Sequence, residues 1–166
     1  MADSRDTAGA EEKGALYKVT PLVGTAAIWP DGRARGRILA LDLGDARIGL
    51  ALSDDHRRVA TPLKVVPAVR KQRDPELARV VSDYEITLLV FGLPLSLDGE
   101  EHAQARHIRA QAQEIADKLE LDYDFIDERL SSAEAHHLSG RPRIDDLAAA
   151  LFLQAYLDQA QREQTE

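Results

Sequence analysis

Two apolar runs, Ile38 to Leu43 and Ile48 to Ser53, stand four residues apart across Gly44-Asp45-Ala46-Arg47. That spacing predicts a β-hairpin, because short runs joined through a glycine-containing connection pair antiparallel. A third strand is expected between Val59 and Val66, where Pro62 has no N–H to give and so suits an edge or a bulge. After that the pattern alternates. Asp74-Pro75 reads as a helix start, with Leu77, Val80, Val81 and Tyr84 on the apolar face. Ile86 to Phe91 is apolar throughout, as in a strand covered on both faces. A long helix over Glu100 to Glu120 carries Ile108, Ala112, Ile115 and Leu119 on one stripe. Leu121 to Asp127 is a further strand, and Ser131-Ser132-Ala133-Glu134 matches a capping box that opens a short helix. A last helix runs from about Ile144 to Gln161. Three hairpin-linked strands followed by helix and strand in alternation predict an α/β fold, a mixed sheet with helices on both faces.

Residues 1–36 read as a flexible amino-terminal arm. Met1 to Gly14 is too polar to bury an apolar surface, and Pro21, Gly24 and Pro30 interrupt what apolar content follows. Residues 37–161 form the domain, and 162–166 a tail. The 166 residues include no cysteine, which excludes disulfides, thiolate metal sites and cysteine nucleophiles. Lys and Arg number 21 against 29 Asp and Glu, a net charge of -8. That balance argues against a protein that coats nucleic acid by charge alone, while leaving room for local basic contacts. No apolar run is long enough for a membrane span and no secretory signal is readable, so a cytoplasmic protein without a membrane partner is expected.

Asp42 is the most informative single residue. It shares a strand face with Ile38 and Ala40, where an ionised carboxylate is costly unless it meets a cation or several donors. It either caps the following turn through the N–H groups of Gly44 to Ala46 or serves a metal or phosphate. Asp127 and Glu128 end the last strand. Alternation groups Asp127 with Leu121, Tyr123 and Phe125, which points Asp127 inward, but a strand end twists, and the pattern does not choose between the two acids. Asp145 and Asp146 open the last helix, where the helix dipole favours acids in any case. Together these positions could converge at one end of a twisted sheet. Carboxylates gathered in that way suit Mg²⁺ or Mn²⁺, and a pair of such ions is the standard apparatus for phosphodiester hydrolysis. The histidines offer no alternative: His102 and His107 share no helix face, His136 and His137 are adjacent, and no H-E-x-x-H occurs. Hydrolase, phosphate-loop and dinucleotide glycine motifs are absent. Arg57, Arg58, Arg70, Lys71 and Arg73, with Arg129, Arg141 and Arg143, are available to track a phosphate backbone or to lie solvated.

Four stretches then resemble the YqgF/RuvX family, in order and in register. They are Arg37 to Asp54, containing Asp42-Leu-Gly44 and Arg47-Ile-Gly49; Val90 to Gly99, containing Gly92-Leu-Pro94 and Asp98-Gly99; Asp127-Glu128-Arg129-Leu-Ser131-Ser132; and the closing helix from Ile144-Asp145-Asp146 to Leu157. The resemblance covers about Arg37 to Asp158. It implies an RNase H-like fold, a mixed five-stranded sheet flanked by helices, and a metal-dependent nuclease. Carried over by position, Asp42, Glu128 and Asp145 are the implied catalytic and metal-binding carboxylates, with Asp127 as a second-line or alternative ligand and Mg²⁺ or Mn²⁺ as the ion. Two features depart from the family pattern: the arm before Arg37, and Gly140-Arg141-Pro142-Arg143 where the family often carries Lys.

The reading is therefore a phosphodiester hydrolase acting on structured nucleic acid, most readily the 5′ end of pre-16S rRNA, with a precursor of the small ribosomal subunit as a partner. Arg47, Arg129, Arg141 and Arg143 are expected to hold flanking phosphates. Two rivals stand beside it. One is a resolvase of branched DNA, the four-way Holliday junction, which needs a dimer to cut two strands symmetrically. The other is a non-catalytic RNA- or nucleotide-binding assembly factor.

Overall fold

The computed structural model describes residues 36–95, 102–128 and 144–165. β1 (Arg37–Leu43), β2 (Arg47–Ser53) and β3 (Ala60–Pro67) run as a meander, and α1 (Arg70–Asp83) leads to β4 (Ile86–Leu93). α2 (Ala103–Leu119) leads to β5 (Asp122–Asp127), and α3 (Ile144–Thr165) closes the chain. The sheet order is β3-β2-β1-β4-β5. The first three strands pair antiparallel, while β4 lies parallel to β1 and β5 parallel to β4. This is the expected mixed five-stranded sheet, with β1 at its centre.

Alternation along the strands builds two cores. Leu39, Leu41, Leu50, Leu89 and Phe91 pack against Leu77, Val80, Ile108 and Ile115 of α1 and α2. Ile38, Ala40, Ala51, Val90 and Ile126 meet Ala149, Phe152, Leu153 and Leu157 of α3 on the other face. β3 is an edge strand, as Pro62 requires, and its pairing with β2 is irregular between Leu50 and Ala51.

Three local expectations are corrected. α1 begins at Arg70, one turn before Asp74-Pro75, and takes Pro75 into its second turn. Asp74 does not cap the helix. It accepts from Arg73 Nε and Lys118 Nζ, both at 2.7 Å, so ion pairing between α1 and α2 prevails over the local start signal. α3 runs on through the residues read as a tail to Thr165, whose hydroxyl donates to the Gln161 carbonyl at 2.9 Å. Arg57 and Arg73 are buried and cannot track a phosphate backbone. Arg57 donates to the Gly36 carbonyl and the Thr87 hydroxyl, tying the β2–β3 connection to the sheet end remote from Asp42. Arg58 belongs to that same remote connection. The arm through residue 35, Asp98-Gly99 and the Ser131 capping box lie outside the described residues.

Candidate active site

Asp42 lies near the carboxyl end of the central strand. It alternates with Ile38 and Ala40, so it faces α3. On one side it is paired with Gly49 of β2. On the other, the register Leu41 to Phe91 brings Gly92 of β4 alongside it. Asp42 is thus flanked on its own face by two residues without side chains, and other groups fill the space they leave. A Cβ on Gly49 would run into the Asp145 carbonyl, so the first turn of α3 rests directly on β2. A Cβ on Gly92 would come within 2.7 Å of Glu128 Oε1 and 2.8 Å of Phe152 Cε1, so the Glu128 side chain lies over β4. An isolated glycine in an apolar strand signals such close approaches. Gly49 and Gly92 carry that signal in the sequence, and motif reading includes them without assigning them this role.

This geometry separates Asp127 from Glu128. Both faces of the sheet are covered, so pointing inward is not a single direction. Asp127 alternates with Tyr123 and Phe125, which pack on the α1–α2 layer. Glu128 lies over Gly92 on the face that carries Asp42. The alternation that points Asp127 inward therefore points it away from Asp42, and Glu128 is the acid on Asp42's face.

The acids also act on one another electrostatically. Burial, and after it the Asp145 carboxylate, push Asp42 up to about 6. Burial, then Asp42 and Asp127, push Glu128 up to about 7. Asp42 is thus raised by the Asp145 charge and Glu128 by the Asp42 charge, as expected of carboxylates near one another in a poorly hydrated space. Asp42 does not cap the hairpin, where the Gly44 N–H donates to the Arg47 carbonyl at 2.9 Å. Asp145 and Asp146 occupy the first turn of α3. Asp145 is paired with Arg47, whose Nε stands 3.2 Å from Oδ2. Asp146 is buried, and its Oδ1 has no hydrogen-bond partner among the described residues. Arg129, Arg141 and Arg143 lie outside the described residues. The described histidines His56, His102 and His107 are exposed.

The donor set is all carboxylate oxygen, half-buried and mutually repelling, which is the chemistry a hard divalent cation relieves. Among the described residues no three such side chains already stand close enough together to enclose an ion. The fit is thus one of donor type and convergence, with no ready-made cage. A half-buried acid held near neutral pH is also suited to exchanging a proton with solvent or substrate.

Comparisons with known proteins place the chain in a family. The family model for RuvX, described as Holliday junction resolvase, matches residues 36–159. A protein of Anaeromyxobacter sp. (strain Fw109-5), named as a candidate pre-16S rRNA nuclease, is 44% identical over 132 residues, covering 74% of this chain and 96% of that protein. One of Roseiflexus sp. (strain RS-1) with the same name is 37% identical over 133 residues, covering 74% of this chain and 94% of that protein. Among solved structures, T. thermophilus RuvC in complex with a Holliday junction substrate matches with a TM-score of 0.48 and 12% identity, covering 76% of this chain and 96% of that one. By the family model and by these relatives, the chain belongs to the RuvX family.

Proposed function

We propose that the protein is a metal-dependent nuclease that hydrolyses phosphodiester bonds of structured nucleic acid, with the 5′ end of pre-16S rRNA as its substrate in the cytoplasm. The observation that carries this reading is the convergence of Asp42, Glu128 and the Asp145 turn on one face of the sheet, over two glycines. The relatives' names support the choice of RNA. Asp42, Glu128 and Asp145 would hold Mg²⁺ or Mn²⁺. Such ions, when bound, lower the pKa of an attacking water and stabilise the leaving 3′ oxygen. The protein's own part is to orient these carboxylates from a rigid strand, a strand end and a helix start. Burial keeps bulk water from screening them. Arg47, at the mouth of the site, and Arg129, Arg141 and Arg143 supply contacts to flanking phosphates.

The test is a cleavage assay on a 5′-extended rRNA precursor and a four-way DNA junction, each with Mg²⁺, Mn²⁺ or EDTA, and with Asp42→Asn protein as the contamination control. Cutting of the RNA that needs metal and vanishes in the variant is the expected result. Paired symmetric cuts in the junction would transfer the function to DNA, in line with the family model's description. Intact substrates under every condition would leave only a binding role.

A further inference from the structure

We propose that Arg47 is an exchangeable counter-ion that competes with a divalent cation for Asp145 and turns to a substrate phosphate when displaced, so that cation and nucleic acid each strengthen the binding of the other. This deepens the nuclease reading and rests on its ligand set. The observation is the Arg47 Nε to Asp145 Oδ2 pair at 3.2 Å. Its two members are unequally held. The Asp145 backbone is pinned against Gly49, and its side chain is 33% exposed. Arg47 is fixed only through its backbone, whose carbonyl closes the hairpin, while its side chain is 70% exposed. A long side chain mostly in solvent and tethered by a single ion pair exchanges partners at little cost. A guanidinium also matches a phosphate as well as a carboxylate.

The surrounding charge gives the exchange a direction. Three acids and one arginine make a net negative mouth, which repels an approaching phosphate. While paired with Asp145, Arg47 directs its guanidinium at that carboxylate and not at a substrate phosphate. Once Asp145 turns to a cation, the guanidinium is released at the entrance, two residues along β2 from the glycine that seats α3. Linkage then requires the reverse effect: a phosphate that draws Arg47 away frees Asp145 and tightens cation binding.

The test compares wild-type, Arg47→Gln and Asp42→Asn proteins. Mn²⁺ binding is measured without nucleic acid by the loss of the free-ion EPR signal. Binding of an RNA hairpin is measured across a salt series in Ca²⁺ and in EDTA, with the strand checked for intactness. Arg47→Gln should bind Mn²⁺ about two- to five-fold more tightly, the range of an exposed ion pair. In Ca²⁺ its salt slope for RNA should fall by about one phosphate contact relative to wild type, and in EDTA the two slopes should coincide. Unchanged or weaker Mn²⁺ binding in Arg47→Gln overturns the proposal. So does an equal loss of slope in both media, which marks a plain phosphate contact. If wild type takes up no Mn²⁺, or Asp42→Asn takes up as much, the ligand set itself is wrong and the proposal falls with it. If Asp42→Asn loses Mn²⁺ while Arg47→Gln matches wild type, only the exchange fails.

Discussion

Asp42 and Gly49 face each other across the β1–β2 ladder, and the backbone of Asp145 rests on the glycine. One strand pair thus sets the position of an acid on the first strand and of the helix turn that brings another. Gly92, on the opposite side of Asp42, does the same for Glu128.

Replacing Gly49 by alanine should therefore harm activity more than its single methyl suggests. The obstacle is backbone, so the α3 turn must shift. We expect a loss of about 1–3 kcal/mol in urea unfolding, and of about 10- to 100-fold in cleavage rate, as misplaced reacting groups typically cost. Gly92→Ala meets the tip of Glu128, which can swing, as well as the Phe152 ring edge. It should be the milder change in stability and should still depress the rate. Equal effects on stability and wild-type rates for both variants would remove the glycines from the positioning of the site.

Stability in EDTA should respond to pH through Asp42 and Glu128. Their folded pKa values, about 6 and about 7, lie above the ordinary 3.8 and 4.5. The folded protein therefore holds more protons than the unfolded chain across this window. These two groups favour folding at low pH, and the advantage is lost as pH rises from about 4 to 7. Asp42→Asn removes one of them. It should be more stable than wild type at pH 8, by roughly 1–3 kcal/mol, with the difference closing near pH 4. Thermal melts of both proteins at pH 4, 6 and 8 check the sign, and a variant less stable than wild type at pH 8 contradicts it.

Tyr156 donates to the buried Asp124 carboxylate at 2.8 Å, joining α3 to the edge strand β5. Burial raises Asp124, and the Tyr156 hydroxyl and the Phe125 N–H hold that rise in check. Tyr156→Phe should cost about 1–3 kcal/mol at neutral pH, because a buried carboxylate loses a donor. The cost should shrink as pH falls, because the lost donor serves the ionised form of Asp124, whose pKa is raised. Urea unfolding at pH 7 and pH 4 separates this from a simple packing loss, which would be the same at both.

The ion pairs between α1 and α2 should not be equal. Arg73 is 1% exposed and reaches Asp74 and Glu114, while Lys118 reaches the same two acids from a side chain 47% exposed. Arg73→Ala should cost about 3 kcal/mol, since it empties a buried volume and strips the acids of their inner partner. Lys118→Ala should cost less than about 1 kcal/mol and should fade at high salt. Denaturant midpoints at low and high salt decide this.

The order of elements along the chain and the mixed sheet were legible in the sequence because hairpin glycines and apolar runs are local signals, and their sum leaves few topologies. Asp42 was legible because a carboxylate in an apolar strand is conspicuous. The start of α1 was not: Asp74 carries the correct residue type for a cap, yet cations from two helices claim it. The choice between Asp127 and Glu128 was also beyond alternation, since it depends on which covered face holds Asp42. The ion pairing of Arg47 with Asp145 joins positions far apart in the chain, and no periodicity reports such a contact.

The seating of α3 on β2 also bears on how the protein is made. Asp42 leaves the ribosome on the first strand, whereas Asp145 arrives on the last helix. The whole span from β1 to α3 must be synthesised before the helix can dock on Gly49 and close these long-range contacts. Any activity that depends on this docking stays absent until α3 has been made. Docking of α3 is thus the step that assembles the site.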